Sequence, residues 1–166
     1  QLNILKELSN VQFDTISSSV LLFTASFVLS KNEECKRKVV LGLDKNEIIN
    51  VWDDVIDAVK ESIDYFKSVY RIPLSSLLPY DSLLVPYAYF FYKTKNRPQG
   101  NQSKYLEEFF WRASLSSRYS SSTESKLAQD IKRINLIINN IQPEYKDFVI
   151  NISSEYLIES QFSAGN

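Results

Sequence analysis

Histidine and methionine are absent from this chain, which has a single cysteine, Cys35, and only three glycines and five prolines in 166 residues. Without histidine there is no Ser-His-Asp triad, no imidazole general base, no HNH nuclease centre and no Cys/His zinc site. A lone cysteine excludes an intramolecular disulfide and fits a reducing compartment, so the chain is expected to be cytoplasmic. Gly42, Gly100 and Gly165 are too isolated to build either glycine-rich phosphate cradle, and they punctuate too little for a sandwich or barrel of short strands. Long apolar runs are lacking as well. Serines and threonines interrupt the most apolar stretch, Phe13 to Ser30, leaving Val20 to Phe23 as its longest unbroken run. That is far short of the ~18 residues a bilayer span needs, so no membrane association is expected. With no methionine and Gln1 first, the chain reads as processed or as a piece of a longer, multidomain protein.

What is present is an ordinary globular composition, 44% apolar and 23% charged with a net charge of −1. The length fits one domain, residues 1–166. The clearest helix opens at Asp44, where Asp44 and Glu47 have the spacing of a capping box. It continues through Ile48, Trp52, Val55, Val59, Ile63, Phe66 and Tyr70 at alternating steps of three and four, which places them on one helix face. Asp53, Asp54, Asp57, Lys60, Glu61 and Asp64 occupy the other face. A second helix, capped by Asp81, is apolar almost all round from Leu83 to Phe91, with Pro86 kinking it or setting its first turn. Ser103 is placed to cap a helix from Lys104 to about Leu115, and Ser121 with Glu124 to cap another that ends near Asn139 and Asn140. Pro143 suits the start of a further helix carrying Tyr145, Phe148 and Val149. Leu2 to Leu8, Phe13 to Leu29 and Ser154 to Gln161 supply the rest. The expected fold is all-α, with six to eight helices in an irregular bundle.

Charge is uneven along this bundle. Asp44 to Asp64 holds seven acids and two bases, whereas Lys93 to Arg118 holds six bases and two acids. The basic stretch is interleaved with Tyr92, Tyr105, Trp111 and Tyr119, a composition that suits phosphate contact with base stacking. It suits equally a helix that buries its rings and leaves its lysines in water. Lys104, Trp111, Arg112, Arg118 and Tyr119 are the candidate nucleic-acid contacts. Arg112 and Arg118 fit a phosphate clamp, or else pairing inside the fold with Asp130, Glu107 or Glu108. Asp53 and Asp57, one turn apart, have a spacing that suits a divalent ion, but acids opposite an apolar stripe are ordinarily a solvated face. No catalytic residue, metal ligand or cofactor site is assigned.

Two segments carry a resemblance. LLPYDSLLVPYAYFF (residues 77–91) and FFWRASLSSRYSSSTESKLAQDI (residues 109–131) resemble the helical part of the DGQQR-motif family of GmrSD-type, modification-dependent restriction proteins. The matching features are Pro79-Tyr80 leading an apolar helix, Trp111 in a Phe/Trp helix, the Arg118-Tyr119-Ser120 turn, and Lys126 with Asp130. The stretches FDTISSSVLLFTASFVL and IINVWDDVIDAVKESIDYFKSVYRI are similar to the family's preceding helices, so the likeness covers most of residues 10–135. The family's ParB-like core carries the Asp-Gly-Gln-Gln-Arg motif, which this chain lacks, so no catalytic residue carries over. The resemblance implies a non-catalytic helical module that follows such a core in a DNA-acting phage-defence protein. Its partners would be that core and, through the basic stretch, DNA. The alternative from the residues is an interaction or scaffold module without nucleic-acid contact. An enzyme working through carboxylates alone is the third reading.

Overall fold

The computed structural model describes residues 17–30 and 45–150. Within them the architecture is all-α: five helices and no strand among the described residues. They are α1 (Ser18–Leu29), α2 (Lys45–Ser68), α3 (Leu84–Thr94), α4 (Asn101–Leu115) and α5 (Thr123–Ile138). Short 3-10 turns at Ser75–Leu77 and Asp81–Leu83 lead into α3.

The expected six to eight helices are thus corrected for the described part. The proposed pieces at 2–8 and 154–161, and the cap at Asp44, lie outside it. The piece opening at Pro143 is not helical. Asn140 takes a left-handed backbone (φ 58°), and the chain beyond it is irregular, turning where the Phe148 amide donates to the Tyr145 carbonyl at 3.0 Å. A reverse turn brings residues i and i+3 together just as a helix does, so the Tyr145/Phe148 spacing fits both.

Residues on the apolar stripe of α2 are buried as their period requires: Val55, Val59 and Phe66 fully, Ile63 almost so. Asp53, Asp54, Asp57, Glu61 and Asp64 are exposed. Every residue from Leu83 to Phe91 is buried, because α3 is covered by α1, α2 and α5 at once. Pro86 sits in the first turn of α3, where its missing N–H costs no helical bond. Buried hydroxyls satisfy themselves on the preceding turn: Thr24 donates to the Val20 carbonyl and Ser62 to that of Ala58, each at 2.8 Å.

Two predicted helix starts shift. Gly100 adopts φ 56°, ψ −118°, a conformation that glycine reaches readily, and α4 begins right after it at Asn101. Ser103 therefore lies inside the helix and donates back to the Pro98 carbonyl at 2.9 Å. At α5 the residue before the helix is Ser122, left-handed and without a side-chain cap, so the Ser121–Glu124 capping box does not form. The predicted end of α5 holds: Asn139 caps it and Asn140 turns the chain away. Asp81 opens a 3-10 turn and does not cap α3 directly.

An aromatic cluster locks α2, α3 and α4 together. Phe66 lies 4.6 Å from the Tyr87 ring and 5.7 Å from that of Phe110, and Tyr70 stacks on Phe110 at 4.2 Å. Tyr87 donates its hydroxyl to the Leu106 carbonyl at 2.7 Å. Its single proton is thereby spent, so in the 2.8 Å contact between the two phenols Tyr70 is the donor. Burial pushes both phenols well above their ordinary pKa, which keeps them protonated donors at neutral pH.

Candidate functional site

The Arg118-Tyr119 pair lies in the turn between α4 and α5. Ser117 takes φ 50° and the Ser120 amide closes onto the Ser117 carbonyl at 3.1 Å, which aims the next two side chains inward. Arg118 and Tyr119 are 4% and 5% exposed.

Both converge on Asp130 of α5, which is fully buried. Arg118 grips it side-on, with Nε donating to one carboxylate oxygen at 2.9 Å and Nη2 to the other at 3.0 Å. The Tyr119 hydroxyl donates at 2.7 Å, and Arg133 Nη1, one turn along α5, at 2.7 Å. Four donors thus fill the four acceptor positions of one carboxylate. Arg118 also donates to Asp147 (2.8 Å) and to the Gln129 side-chain oxygen (2.8 Å), and Arg133 pairs with Asp147 as well. Two arginines against two aspartates leave the cluster neutral, which is what makes its burial tolerable. Both guanidinium groups pack on the Phe148 ring, at 4.2 and 4.8 Å. Tyr80 meets Tyr119 edge-on at 6.0 Å. Burial, with Asp130 beside it, raises the Tyr119 phenol far above its ordinary value, so Tyr119 is a permanent donor and not a nucleophile.

Lys104, Trp111, Arg112, Arg118 and Tyr119 therefore do not form one surface. Arg118 and Tyr119 are core residues holding a carboxylate. Arg112 donates to Glu108 at 2.8 Å and lies over the Tyr145 ring at 5.0 Å. Lys104 and Trp111, two turns apart, do share the outer face of α4, where Trp111 is 52% exposed. The remaining bases of the stretch lie elsewhere. Lys95 pairs with Asp54 at 3.3 Å and covers the Tyr92 ring, Arg97 pairs with Asp64, and Lys93 sits over the Tyr89 ring. Acidic α2 and the basic loop after α3 thus face each other across an open cleft of about 640 Å³, lined by Asp54, Asp57, Glu61, Phe91, Lys95 and Arg97. Charges separated in the sequence are thus paired in space, and the acids of α2 outnumber the two bases that meet them.

Among the described residues no group of three or more His, Cys, Asp or Glu side chains is placed to hold a metal ion, so Asp53 and Asp57 gain no further ligand there. No helix of the described part is long and apolar enough to cross a membrane. Arg133 and Asp147 are not singled out by the sequence, which places Phe148 only on a helix after Pro143. The Asp130/Arg133 spacing of three on one helix was the available signal. Asp147 and Phe148 were hidden by the helical reading of their segment. Comparison with protein-family models, curated proteins and solved structures finds no match for this chain.

Residues 141–148 form a strap over α4 and α5, and Asp147 is its ionic anchor. Burial alone would raise the Asp147 carboxyl, but the guanidinium groups of Arg118 and then Arg133 outweigh it and hold the group below the usual carboxylate range. Its contribution to stability is therefore complete above about pH 4, where the carboxyl of the unfolded chain is ionised. It fades as the pH falls through the lower folded-state value. The gap in urea midpoint between the native chain and Asp147→Asn is expected to stay constant from pH 6 down to about pH 4 and to narrow below it, urea being uncharged and leaving the ion pair unscreened. A gap independent of pH would mean that the carboxylate charge does not fasten the strap.

Proposed function

We propose that this chain is a non-catalytic helical module, the segment that follows the ParB-like core of a DNA-acting phage-defence protein, and that it works by protein contact. What carries the reading is how the basic stretch is spent. Lys95, Arg97, Arg112 and Arg118 each face a carboxylate of this same chain. The pairs of Lys95, Arg97 and Arg112, which reach solvent, contribute little to stability, but they bring acids into the same patch and flatten the positive potential that phosphates would need. The outer face of α4 instead presents Trp111 with Leu115 one turn on, 52% and 44% exposed. A tryptophan is the side chain that most often anchors a protein interface.

Arg118, Tyr119 and Asp130, which carry part of the sequence resemblance, meet in one bonded cluster, and Tyr80 packs edge-on against its Tyr119 ring. That assembly supports reading them as the architecture of a recurring helical module and not as nucleic-acid contacts. The partner under this reading is the ParB-like core, with DNA held by the core.

Fluorescence anisotropy on duplex and single-stranded DNA, titrated with salt, tests the proposal. The expected result is no salt-sensitive binding by the folded chain. Binding that weakens steeply with salt and drops in Lys104→Ala and Arg97→Ala would overturn it and make the chain a DNA-contacting element.

A further inference from the structure

The strap is attached in an unusual way for a piece of a helical core. Its one backbone donor to a helix is the Ile141 amide, which bonds the Leu136 carbonyl at 2.9 Å just as the chain leaves α5. Beyond that, the docking we find is made by side chains. Gln142 donates to Glu108 at 3.0 Å, and Arg133 Nε reaches the Glu144 carbonyl at 3.0 Å. Tyr145 lies between Arg112 and Arg133, with guanidinium groups 5.0 and 5.8 Å from its ring centre. Phe148 packs edge-on against Phe109 at 6.3 Å and under both Arg118 and Arg133. Asp147 is held between those two arginines while remaining 41% exposed.

Two aromatic anchors three residues apart, with an acid forked by arginines between them, are the pattern by which a groove recognises a short linear peptide. The groove itself is built by α4, α5 and the turn between them without the strap: Phe109 forms its floor and Arg112, Arg118 and Arg133 its cationic walls. One polar atom at this contact is left unmet, since the Tyr145 hydroxyl is buried with no hydrogen-bond partner. The internal occupant is therefore an imperfect fit at its first anchor.

We propose that the α4–α5 groove is a recognition site for a short acidic-aromatic peptide segment (an aromatic residue, a spacer, an acid, an aromatic residue), which residues 145–148 occupy in cis. The strap keeps the site closed, and a partner segment of the same chemistry binds when the strap swings out about the left-handed Asn140. The inference is independent of the proposed function, since it concerns a different face from Trp111 and involves no nucleic acid.

A labelled peptide of residues 141–150 is the probe, added in trans to the full chain. Phe148→Ala and, as a milder opening, Asp147→Asn loosen the internal strap. Both are expected to bind the peptide at least tenfold more tightly than the native chain. A peptide with asparagine in place of its aspartate should lose most of that binding, as should an Arg133→Ala change in the loosened chain. Peptide affinity equal in native and loosened chains, or absent from both loosened chains, overturns the proposal. Limited proteolysis of the unmodified protein supplies a second reading. Chymotrypsin should cut after Tyr145 or Phe148 well before it cuts within α4 or α5, and cleavage there only on global unfolding would mean the strap does not detach.

Discussion

Replacing Asp130 with alanine is expected to cost about 3–5 kcal/mol, a large part of the ~5–15 kcal/mol that holds a domain of this size together. The reason lies in what remains behind. Arg118, 4% exposed, would keep its charge with only the half-exposed Asp147 to meet it, and the buried Tyr119 hydroxyl would lose its acceptor. Removing one member of a buried pair is costly because the other is stranded, whereas removing both members is far cheaper. Arg118→Leu combined with Asp130→Leu should therefore be less destabilised than either single change. Chemical denaturation followed by helical circular dichroism measures all three. If Asp130→Ala costs under about 1 kcal/mol, the cluster is not what joins the α4–α5 turn to the strap.

Phe66→Ala should come next, at about 3–5 kcal/mol, because the ring is fully buried between Tyr70, Tyr87 and Phe110 and its removal leaves a cavity among them. Tyr87→Phe separates hydrogen bonding from packing at the same centre. It keeps the ring but deprives the Leu106 carbonyl of its donor and the Tyr70 hydroxyl of its acceptor, and it should cost about 1–2 kcal/mol. Trp111→Ala is the internal control, within about 0.5 kcal/mol, since that side chain stands half in water. A loss at Trp111 as large as at Phe66 would contradict the packing described and remove the argument for an outward-facing contact residue.

The two helices with the plainest pattern, α2 and α3, were legible in the sequence because their side chains repeat without ambiguity: a stripe in one and apolar residues almost all round in the other. Helix starts were less legible. Capping motifs assume an extended residue ahead of the helix, and here a glycine at φ 56° and a left-handed Ser122 do that work. The Arg118–Asp130 pairing was one of two open alternatives for Arg118, and the fold takes it. The charge asymmetry of the sequence does not become one basic surface, for a physical reason. Arg97 and Asp64 are 33 residues apart, and only the packing of α3 on α2 brings them into contact. A local charge count describes the chain, but a phosphate meets the folded surface.

The burial of α3 on every side has a consequence for how the protein is made. A helix without a solvated face has no stable existence on its own, so it must wait for its neighbours. α1 and α2 precede it from the ribosome, but α5, which closes the remaining side, ends at Ile138, roughly fifty residues after Phe91. At a synthesis rate of about 5–20 residues per second, the flank of α3 that α5 covers stands open for roughly 2–10 seconds in each nascent chain. That interval, more than any weakness of the finished fold, is when apolar surface of this molecule is open to aggregation.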